Sequence, residues 1–126
     1  MLHDSEQLKG EGLSILIVDD EPSIRFLVGE ALKEEGRKIY MAGSGKQAIA
    51  LLEQVVIDII LLDLNMPGLS GVDVFRILQQ KNFQGSVVLM TASEEGELID
   101  EAKALGIKRF LIKPFDLDDL IQIVKK

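Results

Sequence analysis

Five short apolar runs punctuate the chain, at residues 15–18, 39–42, 59–62, 87–90 and 110–112. Each has the length of a strand. Between them the apolar positions spread to helical spacing. Ile24, Leu27, Val28, Ala31 and Leu32 fall at i, i+3, i+4, i+7 and i+8, one stripe of a helix that Gly36 can end. Ser44 followed by Gln47 is a capping-box signature opening "KQAIALLEQ". Ser70 can cap "VDVFRILQQ", and Ser93 can cap "EEGELIDEAKAL", which Gly106 closes. In the last segment Asp116, Asp118 and Asp119 precede Lys125 and Lys126, the charge order a helix dipole favours. Strand and helix thus alternate five times, and the strands are too apolar to leave a wet face. The pattern predicts an α/β domain whose parallel sheet is covered on both sides.

In open α/β sheets ligands bind outside the carboxyl ends of the strands. The first strand runs into Asp19, Asp20 and Glu21 in "LIVDDEP"; the third delivers Asp63, the fourth Thr91 and the fifth Lys113. Singly, each has an ordinary explanation. An acid after a strand commonly caps a helix, and an aspartate before "NMPG" suits a turn. A threonine can simply end a strand, and a lysine can lie along the surface. Together they describe chemistry. Two carboxylates about 4 Å apart repel by roughly 4 kcal/mol at an effective dielectric of 20, so the group calls for protonation, separation or a cation. Magnesium takes oxygen ligands, keeps several waters and binds through one or two carboxylates plus phosphate oxygens. Asp19, Asp20 and Asp63 suit it, Lys113 adds a positive charge for a dianion, and the Thr91 hydroxyl completes a pocket for a phosphoryl group. Glu21, beside Pro22, reads instead as a helix N-terminal acid.

Composition narrows the class. At 126 residues and 47% hydrophobic content, the chain is of single-domain length with enough apolar material for its own core. With 21 acidic and 14 basic residues its net charge is −7, which opposes direct binding to nucleic acid. There is no Cys, which excludes disulfides and thiolate metal sites and fits a reducing compartment. Nothing in "MLHDSEQLKGEG" resembles a signal peptide, and no apolar run approaches the roughly 20 residues needed to span a bilayer. The expectation is a cytoplasmic protein that does not engage membranes. Residues 1–12 read as a polar tail and 13–126 as the domain. His3 is the one histidine and lies in that tail, so neither a triad nor a histidine zinc site has support.

Other motif readings fail on their own positions. "DLNMPGLSGVDV" begins like a calcium loop, but Pro67 stands at the third ligand position and Val74 where the bidentate glutamate belongs. "YMAGSGKQ" echoes a phosphate-binding loop, yet Tyr40 replaces its first glycine and Gln47 its metal-binding hydroxyl. Met66 and Pro67 read as a turn holding Asp63.

Taken in order, "VDDE", "LLDLNMPGLSG", "MTA" and "FLIKPF" resemble a response regulator receiver domain, over about residues 13–126. The resemblance implies a flavodoxin-like (βα)5 doubly wound parallel sheet with strand order 2-1-3-4-5. It also implies that Asp63 accepts a phosphoryl group from a phosphohistidine on a sensor histidine kinase or histidine phosphotransfer protein. Asp20 would bind Mg2+ directly, Asp19 mainly through water, and the Asn65 backbone carbonyl would be a further ligand. Lys113 would pair with a phosphate oxygen. Thr91 would be the switch hydroxyl and Phe110 the switch aromatic, a two-state element biased by a local charge event. Lys113-Pro114 matches the family's cis peptide position; Asn65 and Ser93 fall where the lifetime of the acyl phosphate is tuned. The short final helix is the one departure from the family pattern, and it fits a chain cut before a longer natural end.

Phe26 lies opposite the apolar stripe of the first helix and close to the acidic loop, a candidate partner contact. A reading from a different class is a magnesium-dependent phosphatase of the haloacid-dehalogenase kind, which also passes through an aspartyl phosphate. Such enzymes want an acid two residues after the nucleophile, where this chain has Asn65, and a cap insert for which there is no room.

Overall fold

A computed structural model of the protein describes residues 13–33 and 36–125. The expected tail at 1–12, with His3, and Lys126 lie outside the described residues. Strand and helix alternate: β1 (Ser14–Val18), α1 (Pro22–Lys33), β2 (Lys38–Ala42), α2 (Gly45–Leu52), β3 (Ile59–Asp63), α3 (Gly71–Gln80), β4 (Ser86–Thr91), α4 (Glu97–Ala104), β5 (Phe110–Ile112) and α5 (Leu117–Lys125). The strands form one parallel sheet in the order β2-β1-β3-β4-β5. This is the flavodoxin-like arrangement, with its topological reversal between β1 and β3.

The two-residue period of a strand divides the core. Leu16 and Val18 of β1, with Ile60, Leu62 and Leu89, pack against Ala48 of α2, Val74 and Leu78 of α3, and Ile99 and Ala102 of α4. Ile15 and Ile17, with Ile59, Leu61, Val88 and Met90, pack against Val28 and Leu32 of α1 and Leu120 and Val124 of α5. Each of the Val, Leu, Ile and Met side chains among them contributes about 1.5–3 kcal/mol when fully buried. A one-residue slip of β1 would exchange its two faces, so this burial also sets the register that aligns the strand ends.

β2 departs from the expectation of a fully covered sheet. It is an edge strand, and Lys38 and Met41 are exposed. The helix stripe also needs one correction: Leu27 is 60% exposed. α1 seats Val28, Gly29 and Leu32 on the sheet, and Leu27 faces the gap toward the connection between β5 and α5.

Local chemistry explains where the helices begin and end. Ser70 and Asp73 form a reciprocal capping box at α3. At α2, Ser44 Oγ accepts from Gln47 N–H, but Gln47 Oε1 accepts from Gly43 N–H rather than closing a box on Ser44. Gly36 and Gly106 follow α1 and α4 with φ of 81° and 105°, the left-handed geometry that ends a helix without steric cost. Ser93 does not cap α4. Its hydroxyl accepts from Glu95 N–H within the preceding turn, and Gly96, at φ 132°, cannot be part of a helix, so α4 starts only at Glu97.

Candidate functional site

Sheet register assembles the site. Asp63 ends β3 and pairs with Met90, while Thr91 ends β4 and pairs with Ile112. The Lys113 N–H donates to the Thr91 carbonyl at 2.7 Å. Asp63 and Thr91 are thus the last residues of their strands. On the other side, Asp19 follows β1 directly and its N–H reaches the Ala42 carbonyl of β2 at 3.2 Å. Glu21 takes the N-cap place of α1, its carbonyl accepting from the N–H groups of Ile24 and Arg25. Pro22 occupies the first helical position, where a missing N–H costs nothing.

The carboxylates of Asp19, Asp20 and Asp63 offer oxygens that all lie within 4.8 Å of one another. Asp19 is 0% and Asp63 4% exposed, whereas Asp20 is open to solvent. Lys113 Nζ donates to Asp19 Oδ2 at 2.9 Å and lies 3.6 Å from Asp63 Oδ1. Backbone groups hold the remaining angles: Glu21 N–H donates to Asp19 Oδ1 at 2.9 Å and Asn65 N–H to Asp63 Oδ1 at 3.2 Å. Three carboxylates therefore meet one ammonium. Burial and then the Asp19 charge raise the Asp63 pKa to about 6, with Asp20 adding to the rise while Lys113 and the Asn65 N–H oppose it. For Lys113, burial pulls the pKa down. The hydrogen bond to Asp19 and the charges of Asp63, Asp19 and Glu21 outweigh it, leaving the pKa above its usual value.

Thr91 is buried. Its hydroxyl donates to the Ser93 carbonyl at 3.0 Å and accepts from Ser93 N–H at 3.3 Å. Phe110 is half-buried, and Lys103 Nζ of α4 lies 5.8 Å from its ring centroid. The Lys113–Pro114 peptide is cis. Phe26 is 62% exposed on α1. Beside it, Leu27, Ile24, Phe115 and Leu117 line an apolar groove of about 660 Å³ that reaches Ala92 and Lys113 at the rim of the site. Two groups close to the site escaped the sequence reading. Arg25 donates from Nη1 to the Asp19 carbonyl at 2.7 Å, but in sequence it is one more charged residue on a helix. Lys103 likewise gives no sign of its aromatic neighbour.

The donor set suits a hard cation. Every candidate ligand is an oxygen, and two oxygens on one Mg2+ at about 2.1 Å are at most about 4.2 Å apart, close to the spacing present. Buried carboxylates beside a lysine, with oxygens spaced for a hard cation, make a candidate site for phosphoryl chemistry. Comparison with known proteins gives the family. The family described as response regulator receiver domain matches residues 15–125. Sporulation initiation phosphotransferase F of Bacillus subtilis is 37% identical over 112 residues, covering 89% of this chain and 90% of that protein. Regulatory protein AtoC of Escherichia coli is 36% identical, but the match spans only 24% of its length.

Solved structures agree. Chemotaxis response regulator CheY4 of Vibrio cholerae superimposes with a TM-score of 0.83 at 28% identity, over 90% of this chain and 96% of that one. Response regulator protein TrrA of Thermotoga maritima, in complex with Mg2+ and BeF, gives a TM-score of 0.78 at 33% identity, over 90% and 96% of the two chains. The chain belongs to the response regulator receiver domain family, signalling proteins of two-component systems. Phosphorylation of an aspartate that switches the domain's conformation is the role of that family, and the dehalogenase-type reading is not favoured. Among the described residues no helix is long and apolar enough to cross a membrane.

Proposed function

We propose that Asp63 accepts the phosphoryl group in a Mg2+-dependent reaction and that the domain catalyses only its own phosphorylation and dephosphorylation. The observation that carries this reading is the placement of Asp63: buried, tethered by Asn65 N–H, and grouped with two further carboxylates and Lys113. An Asp63 oxygen would attack phosphorus as the P–N bond to a histidine imidazole breaks, and the imidazole leaves with the bonding pair. Asp19, Asp20, Asp63 and the Asn65 backbone carbonyl are the groups that would hold Mg2+. When bound, Mg2+ supplies charge that offsets the negative charge on the phosphoryl oxygens. Lys113, hydrogen-bonded to Asp19 and 3.6 Å from Asp63 Oδ1, is close enough to take a phosphoryl oxygen by a charge-assisted hydrogen bond.

The switch follows from what Thr91 would give up. Its hydroxyl now serves Ser93; a phosphoryl group on Asp63 offers a stronger, charged acceptor, and the turn at Ser93 must move for the hydroxyl to reach it. Phe110, at the surface of the core and next to α4, is the side chain we assign to follow that movement. The donor partner is a sensor histidine kinase or histidine phosphotransfer protein, and Phe26 is the assigned contact. The excess of acidic residues argues against direct nucleic-acid contact by this domain, and a chain without Cys suits the cytoplasm.

Incubation with Mg2+ and acetyl phosphate, followed by mass spectrometry, tests the reading. The expected result is one phosphoryl group, lost in Asp63→Asn and in EDTA. Labelling that persists in either case removes the central claim. Catalytic release of phosphate from diverse monoesters would instead identify an enzyme.

A further inference from the structure

Asp19 uses its N–H, its carbonyl and both carboxylate oxygens, and each carboxylate oxygen keeps one further lone-pair side for a ligand. Its N–H goes to Ala42 of β2, Oδ1 accepts from Glu21 N–H and Oδ2 from Lys113. Its carbonyl belongs to neither a helix nor the sheet ladder. Arg25 supplies the missing donor, Nη1 to Asp19 O at 2.7 Å. The guanidinium also rests on the next loop. A Cβ at Gly43 would lie 3.1 Å from Arg25 Nη1 and 3.5 Å from Cζ, so the backbone there leaves the space the guanidinium occupies. Gly43 is itself fixed through its N–H to Gln47 Oε1 at 2.7 Å. Arg25 therefore ties the β1–α1 turn to the β2–α2 turn.

We infer that Arg25 is a positioning residue for cation binding: by clasping the Asp19 carbonyl against Gly43 it holds Asp19 and Asp20 turned toward Asp63. The inference rests on the proposed function, because it concerns how the same carboxylates are presented. The physical need is plain. Adjacent carboxylates repel each other, and the turn that carries them would open to separate their charge unless something other than the cation held it. Arg25 does this from the backbone side, out of contact with the reacting atoms. A backbone carbonyl does not titrate, so the clasp needs no particular protonation state of the carboxylates.

Position and charge make opposite forecasts. An arginine acting as a nearby positive charge would oppose a divalent cation, so its removal would tighten binding. A clasp predicts the reverse. The test is calorimetric titration of the whole chain with MgCl2 at constant ionic strength, together with amide hydrogen exchange in the metal-free protein. Arg25→Ala is expected to weaken Mg2+ binding about tenfold, the low end for groups that orient metal ligands, and to speed exchange at the Asp19 and Glu21 amides. Arg25→Lys keeps the charge but loses the planar fork and is expected between the two. Gly43→Val keeps Arg25 and displaces its guanidinium, and should weaken binding in the same direction even if Arg25→Ala fails to fold. Mg2+ affinity unchanged or tighter in Arg25→Ala, or unchanged in Gly43→Val, overturns the inference. A wild-type chain that binds no Mg2+ overturns the proposed function itself, a result separable from the first.

Discussion

The Asp63 carboxylate is costly to ionise in the metal-free protein, and that cost is measurable. Burial and the Asp19 charge raise its pKa from 3.8 to about 6. At about 1.36 kcal/mol for each tenfold change in acid strength, this amounts to roughly 3 kcal/mol. The sign follows from linkage. The folded chain holds this proton more tightly than the unfolded chain, so the penalty is absent below about pH 3.8, grows as pH rises toward 6, and is fully present above that. Asp63→Asn removes it. In EDTA the variant should be more stable than wild type by up to about 3 kcal/mol at pH 7.5, by about half as much at pH 5, and by little at pH 4.

Urea unfolding followed by circular dichroism at those three pH values measures the difference directly. At pH 7.5 the midpoint should rise by roughly 1–2 M for an m-value of about 1.5–3 kcal/mol/M. Mg2+ supplies the control. At a hundred times its dissociation constant it should stabilise wild type by about 2.7 kcal/mol and leave the variant, which lacks a ligand, largely unmoved. An Asn variant no more stable than wild type at pH 7.5 in EDTA, or a difference that does not shrink with acid, refutes the reasoning.

Because a Mg2+ ligand must be deprotonated, apparent Mg2+ affinity should be flat above about pH 7 and fall about tenfold per pH unit below about pH 6, as titrations across pH 5 to 8 would show. A Cβ at Gly71 would lie 2.7 Å from the Asp63 carbonyl and 2.9 Å from Leu64 Cα, both backbone atoms that cannot swing aside. Gly71→Ala should therefore cost about 1–3 kcal/mol in urea unfolding, with weaker Mg2+ binding as Asp63 shifts. Phe26→Ala should slow phosphotransfer from the cognate kinase while labelling by acetyl phosphate stays intact; equal loss of both counts against a docking role.

Much of this protein is legible in its one-dimensional pattern because the physics behind it is local. Alternating Ile15, Leu16, Ile17 and Val18 can be buried on both sides only if helices cover both faces, and that is how they pack. Ser70 with Asp73 starts a helix wherever the backbone allows. Where local signals compete, the pattern misleads. Ser93 has the right identity for a cap, but its hydroxyl satisfies a nearer N–H and Gly96 breaks the run. Leu27 has the right period for the core, but periodicity cannot say whether an element lies opposite, and α1 overhangs a groove there.

Chain order alone dictates which residue types stand at the strand ends, and therefore that acids, a hydroxyl and a lysine are available. How they meet is a matter of packing. Lys113 and Asp19, 94 positions apart, form a 2.9 Å hydrogen bond because a register set by buried Ile, Leu and Val brings five strand ends to one edge. Arg25 shows the limit from the other side: its role depends on a carbonyl, which every residue possesses, and on how close the Gly43 backbone comes to its guanidinium. Neither the direction of a carbonyl nor the approach of one loop to another leaves a mark in a string of side chains; both come from how the backbone turns and what packs against it.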